Sequence, residues 1–242
     1  PSEAPTGLIR FDELLAGDTT LPEREFGAAS LAQIIYTSGT ESRPKGAMLT
    51  HEAVISEYVT CLVDAMRPSV GFAALKLLQD AGCRVEVPMQ QTCCGQPAFN
   101  SGNTKDTAVL ARRFIEQFEP YDYVVAPSGS CAGMTRAHYP EALADDPRWA
   151  ERARKLGART FELMSFLVDV MHYKPAGVKF PATATYHDSC SGLRELGVFD
   201  QPRALLGQVG GLTMKPLEGN DVCCGFGGTF CVKYPEISNR MV

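Results

Sequence analysis

Apolar residues recur at helical spacing through SVGFAALKLLQDAG (69–82), and the pattern predicts a helix closed by Gly82. CRVEVP, immediately downstream, reads as a short strand. Thr104 is placed to cap a helix running through Glu119, and YDYVVA (121–126) has the continuous apolar run of a buried strand. FELMSFLVDVM (161–171) predicts a helix joining two halves, ATATYH (182–187) and LTMKPL (212–217) predict weaker strands, and YPEISNRMV is helix-like. Upstream, LAQIIY (31–36) reads as a strand and TSGTESRPKG (37–46) as a Gly/Ser/Thr loop. HEAVISEYVTCLVDAM (51–66) reads as an amphipathic helix, apolar at 54, 55, 58, 59, 62, 63 and 66. Strands alternating with helices predict an α/β fold.

A cysteine series repeats along this pattern. Cys61, the adjacent pair Cys93–Cys94 and Cys131 form the first series, and Cys190 with Cys223–Cys224 begins a second. The offset between the series is 129 at the single cysteine and 130 at the pair, and each pair is followed by glycine. At this cysteine frequency about 0.03 CCG triplets would arise by chance, so two at matching depth mark an internal repeat. Repetition would place the counterpart of Cys131 near position 261, beyond Val242, and the chain, starting on Pro1, looks cut at both ends. Cys93–Cys94, Cys131, Cys190 and Cys223–Cys224 fall in Gly/Ser-rich loops after candidate strands. Such loops converge at the carboxyl ends of parallel strands, so thiols far apart in sequence can meet there.

Composition narrows the chemistry. The 242 residues are 45% hydrophobic and carry a formal charge of −5 with both signs interspersed, which argues against nucleic acid or an anionic membrane as the main partner. No apolar run reaches the roughly 18–20 residues that span a bilayer, and no signal-peptide pattern is present. Nine cysteines, an odd number with two adjacent pairs, suit a metal or redox protein of the cytoplasm better than a disulfide scaffold.

Thiolates are soft ligands for iron–sulfur clusters and for zinc, and four of them fill either a cubane's iron sites or a tetrahedral zinc site. Cys83, in a strand-like run outside both series, reads as a small buried apolar residue. Cys231, seven residues past Cys224, reads equally as ligand or packing residue. His187 is a ligand, a group supporting the ligands, or a hydrogen-bonded structural histidine, the last preferred. His138 and His172 lie in helix-like context as surface or packing residues. Ser128–Gly129–Ser130 lacks the His/Asp partners of a serine nucleophile, and GFGG (225–228) lacks the dinucleotide fingerprint.

The segments YVTCLVD, TCCGQPAFNSG, YDYVVAPSGSCAGM, TYHDSCSGLRELG and CCGFGGTFCVKYPEIS carry a resemblance. They resemble the cysteine-rich CCG iron–sulfur subunit of lactate-utilisation systems and, more remotely, the iron–sulfur subunit of glycolate oxidase and the CCG subunit of heterodisulfide reductase. The resemblance implies two α/β CCG modules with short parallel sheets, 57–175 and 176–242, relaying electrons from a 2-hydroxy acid beside companion iron–sulfur and oxidoreductase subunits. It implies an oxidoreductase subunit rather than a stand-alone enzyme, and a 4Fe–4S-type cluster. Cys61, Cys93, Cys94 and Cys131 then match the ligands of module one, and Cys190, Cys223 and Cys224 those of module two. Met134 stands where the full pattern has its last cysteine, and module two lacks its third-loop ligand.

Residues 1–56 are similar instead to an AMP-binding acyl-CoA synthetase, through YTSGTESRPKGAMLTHEAVISEYV. That resemblance implies a phosphate loop in which Thr37, Ser38, Gly39, Thr40 and Lys45 meet ATP, with Glu41–Ser42 in place of Thr–Gly. The segment is too short for the acyl and adenosine pockets, so it implies a vestigial, non-autonomous fragment and a chimera joined at YVTCLVDAM. The join creates a conflict. The synthetase pattern wants a helix there, whereas the CCG pattern wants a buried strand ending at Cys61, which now contains Ser56 and Glu57. A carboxylate in a central strand is costly unless paired, so module one is expected to be destabilised.

Overall fold

A computed structural model describes residues 35–36, 46–47, 54–88 and 90–241, all within one unit, Leu31–Val242. The fold is mixed α/β with short sheets. β1 (Ile35–Tyr36) pairs antiparallel with β2 (Gly46–Ala47). The loop residues proposed to meet ATP, Thr37, Ser38, Gly39, Thr40 and Lys45, lie outside the described residues.

Module one is a four-stranded parallel sheet in the order β4-β3-β5-β6, formed by β3 (Val54–Glu57), β4 (Arg84–Glu86), β5 (Tyr123–Ala126) and β6 (Thr160–Glu162). The competition at the join is thus decided for the strand at 54–57, and helix begins only at Cys61. The reason is tertiary: β4 and β5 pair with the segment on either side, and Ile55 then enters one apolar layer and Tyr58 the other. β3 spans the division drawn between residues 56 and 57. Glu57 is buried with it, and neither carboxylate oxygen has a hydrogen-bond partner among the described residues.

Helix Pro68–Asp80 connects β3 to β4 and packs Ala74, Leu75 and Leu78 against Ile55, Val85, Val125 and Phe166. Helix Thr104–Phe118 connects β4 to β5 on the opposite face, where Phe114, Ile115 and Phe118 meet Tyr58, Val124 and Tyr139. Its cap is Asn103, whose side chain accepts from the Asp106 amide at 3.2 Å, rather than Thr104. Tyr58 sets its ring edge-on to Phe114 and Phe118, with centroids 4.9 and 5.6 Å away, a geometry that adds to the area buried.

The predicted helix over 161–171 is corrected in part. Thr160–Glu162 pairs with β5 as an edge strand, followed by helix Leu163–Ser165 and a π-helical turn Phe166–Val170. Glu162 ends the strand and starts the helix, its Oε2 accepting from the amides of Met164 and Ser165 at 2.8 and 3.1 Å.

Module two contains a parallel pair, β7 (Lys179–Ala184) and β8 (Gly210–Met214), each lying two or three residues upstream of its sequence-based position. Helices Cys190–Leu196 and Asp200–Leu206 form the crossover between them. Thr229–Lys233 and Pro235–Ser238 follow. The modules meet where helix Gly129–Gly133 crosses helix Cys190–Leu196. A methyl group on Gly129 would lie 2.7 Å from the Gly192 nitrogen, so only glycine allows this approach.

Candidate metal centre

Three carboxyl-end connections of module one deliver its thiols. Cys61 opens helix Cys61–Met66 after β3, the Cys93–Cys94 pair follows β4, and Cys131 lies in helix Gly129–Gly133 after β5. β3 sits between β4 and β5, with its two crossover helices on opposite faces, so the connections spread apart and open a crevice at the strand ends. The sulfurs of Cys61 and Cys93 are 3.8 Å apart. Thiol contacts continue from Cys93 to Cys94 and from Cys94 to Cys131, making one connected set. All nine cysteines of the chain are free.

Charge is distributed unevenly within the set. A hydrogen bond from Cys61 holds the Cys93 thiol well below its ordinary pKa, and one from Cys94 does the same for Cys131. The Ser128 and Ser130 hydroxyls add to the effect at Cys131. The two donors are shifted upward, Cys61 by its bond to Cys93 and then burial, Cys94 by its bonds to Cys131 and Cys93 and then burial. Two thiols are thus shifted toward the thiolate form that binds a soft metal, and two are shifted away from it.

The pair itself is clamped by two buried tyrosines. Tyr58 donates its hydroxyl to the Thr92 carbonyl at 2.9 Å and Tyr139 to the Cys94 carbonyl at 2.8 Å. The glycine after each pair has a backbone reason. Gly95 and Gly225 adopt φ of 85° and 75°, in the left-handed region where a side chain is strained. At Gly225 a Cβ would also meet the Ser238 carbonyl oxygen at 2.5 Å.

Module two repeats the arrangement. Cys190 opens its helix behind the cap Ser189, its sulfur bonds to Cys223, and Cys224 is close enough to interact with it electrostatically. Burial, then Cys223, raises the Cys190 thiol. His187 Nε2 lies 2.8 Å from the Val222 carbonyl oxygen, which is the structural role preferred from sequence. Asp188 joins the same two loops: its amide donates to the Asn220 carbonyl at 2.8 Å and its carboxylate accepts from the Asn220 amide side chain. Arg194 adds a bond to the Asp221 carbonyl at 3.1 Å.

The remaining candidates separate from these sets. Cys83 is buried in the apolar layer under helix Pro68–Asp80, and burial pushes its thiol up to about 11. Cys231 donates to the Gly228 carbonyl at 3.0 Å within its own turn. Met134 is fully buried in the layer that also holds Cys94 and Cys131. His138 pairs with Glu195 at 3.7 Å and stacks on Phe99, while His172 is exposed at φ 49° beyond its helix. Among the described residues no three His, Cys, Asp or Glu side chains are disposed around a single metal ion. The free, mutually hydrogen-bonded thiols do have the donor chemistry of a metal or iron–sulfur cofactor. Sequence reasoning missed Tyr58, Tyr139 and Asp188, although Tyr58 stands three residues before Cys61 just as His187 stands three before Cys190.

The cysteine-rich CCG domain matches this chain twice, over residues 55–136 and 184–242. The chain belongs to the CCG cysteine-rich domain family. The two matches coincide with the two thiol sets, and the first begins within β3. Among curated relatives, lactate utilization protein A of an Exiguobacterium species is 52% identical over 190 residues, covering 78% of this chain and 77% of that protein. Lactate utilization protein A of Bacillus licheniformis is 49% identical over 188 residues (78% and 79% covered), and that of Bacillus subtilis 47% over 188 residues (78% and 79%). Among the described residues no helix is long and apolar enough to cross a membrane.

Proposed function

We propose that this chain is an iron–sulfur-binding electron-transfer subunit of a cytoplasmic system that oxidises lactate or a related 2-hydroxy acid. The observation that supports it most is the gathering of seven free thiols in two sets, in a chain about half identical to proteins named for lactate utilization. Cys61, Cys93, Cys94 and Cys131 would hold one 4Fe–4S-type cluster, and Cys190, Cys223 and Cys224 would supply three thiolates toward a second. Such a cluster, when bound, takes up and releases single electrons at a potential tuned by the hydrogen bonds and burial around its sulfurs. The chain's own residues contribute the thiolates, the two tyrosine clamps and the buried layer that limits water at Cys94 and Cys131. Companion iron–sulfur and oxidoreductase subunits would deliver and remove the electrons. In this reading the vestigial loop with Thr37, Ser38, Gly39, Thr40 and Lys45 has no ligase activity.

Anaerobic purification and reconstitution with iron and sulfide test the reading. Broad absorbance near about 400 nm that bleaches with dithionite is the expected result for thiolate-ligated clusters. A colourless protein carrying stoichiometric zinc would replace the proposal with a structural zinc centre. ATP-dependent pyrophosphate exchange lost on Lys45→Ala would instead restore the synthetase reading of the N-terminal segment.

A further inference from the structure

Tyr58 and His187 are separated by 129 residues, the offset of Cys61 and Cys190, and Thr92 and Val222 by 130, the offset of the two cysteine pairs. The contacts obey the same repeat: Tyr58 bonds the carbonyl before the first pair at 2.9 Å, and His187 bonds the carbonyl before the second at 2.8 Å. A carbonyl only accepts, so His187 Nε2 must carry the hydrogen, as the tyrosine hydroxyl does. We infer that the side chain three residues before the first cysteine of each module is a positioning residue, which ties the strand-end carrying that cysteine to the segment carrying the pair. Two chemically different side chains thus perform one task.

The physical case rests on what a cluster site requires. Cys61 and Cys93, like Cys190 and Cys223, come from different connections, which the metal-free chain must hold in register without a bound group to join them. One donor bridging them shortens the search for a common geometry, and holding donors in place is what raises affinity for a bound group. The bond goes to a backbone carbonyl and leaves the sulfur lone pairs available. Module two adds the Asp188–Asn220 tie, while module one adds the Tyr139 clamp, so in neither module is this donor the sole restraint. The importance of the juxtaposition for metal loading rests on the cluster reading above; its effect on the loops does not.

The test uses the whole chain, reduced and metal-free, pulsed with iodoacetamide and read cysteine by cysteine by peptide mass spectrometry. Loss of one hydrogen bond predicts that His187→Leu raises the alkylation rate at Cys223 and Cys224 about threefold, and that Tyr58→Phe does so at Cys93 and Cys94. Each variant should leave the other module and the buried Cys83 unchanged. His187→Gln, whose amide nitrogen reaches the Nε2 position, should restore the original rate. Equal rates in His187→Leu and the original chain, or a rise at Cys83 matching that at Cys223, would overturn the inference. A rise in His187→Gln as large as in His187→Leu would do so too. In parallel, reconstitution should cost His187→Leu its module-two iron alone. If the original chain takes up no iron, the cluster reading fails while the alkylation pattern still decides the positioning role.

Discussion

Both terminal nitrogens of Arg203 reach the Asp188 carboxylate, at 2.8 and 2.7 Å, and Asp188 is fully buried beneath them. Asp188 lies two residues before Cys190 and its other bonds hold the loop before Cys223, so this fork anchors the module-two site to helix Asp200–Leu206. Removing one partner of a buried pair leaves an uncompensated charge, which typically costs about 3–5 kcal/mol. Arg203 keeps 30% of its side-chain surface in solvent, which moves the expectation to about 2–3 kcal/mol. Arg203→Ala should show that loss in urea unfolding, and Arg203→Lys should recover little, because an ammonium cannot reproduce the two-pronged contact.

Glu57 predicts a stabilising substitution. Burial in the central strand raises its carboxyl well above the ordinary range, and among the described residues no hydrogen-bond partner offsets the cost. A group with a raised folded-state pKa contributes its full stability below the unfolded value, about 4.3, and loses it as pH rises toward the folded value. Glu57→Leu should therefore increase stability by about 1–3 kcal/mol at pH 7, with the gain shrinking toward pH 4. Melting curves of both proteins across that range check the sign and the window.

The module contact predicts unequal costs for the same change four residues apart. Gly129→Ala drives a methyl group into the Gly192 backbone, which cannot yield locally, and should cost about 1–3 kcal/mol. Gly133→Ala meets only the flexible tip of Glu195, so it should stay within about 0.5 kcal/mol of the original chain. Thermal unfolding of the pair separates backbone contact from side-chain contact.

Cysteine substitutions should dissociate stability from iron content. Cys83→Ala leaves a small void in an apolar layer and should cost about 1 kcal/mol without altering iron after anaerobic reconstitution. Cys93→Ser should remove most module-one iron, because a hydroxyl is a hard, weakly held ligand for cluster iron. Cys231→Ser should match the original chain, since its thiol is engaged with Gly228. Iron loss at Cys231 equal to that at Cys93 would reassign the module-two set.

Much of this molecule was legible because its signals are local or periodic. The helices at 68–80 and 104–118 and the strand at 123–126 follow from apolar spacing, and the repeat with its CCG glycines follows from counting. Glu57's burial was also foreseeable once the strand reading at the join was granted. Segment 54–57 itself was not decidable from pattern, since VISEYV satisfies both periods; pairing with β4 and β5 on either side chose the strand. The edge strand Thr160–Glu162 was hidden for a related reason, because only the presence of β5 gives those residues ladder partners. By itself, then, the sequence determined which thiols form series and where glycine must follow them, since both depend on order along the chain and on backbone conformation. Tertiary structure alone decided that Tyr58 meets Thr92, that His187 meets Val222 and that Gly129 touches Gly192. Those contacts join segments 34, 35 and 63 residues apart, and nothing within either segment encodes the distance at which the fold brings them together.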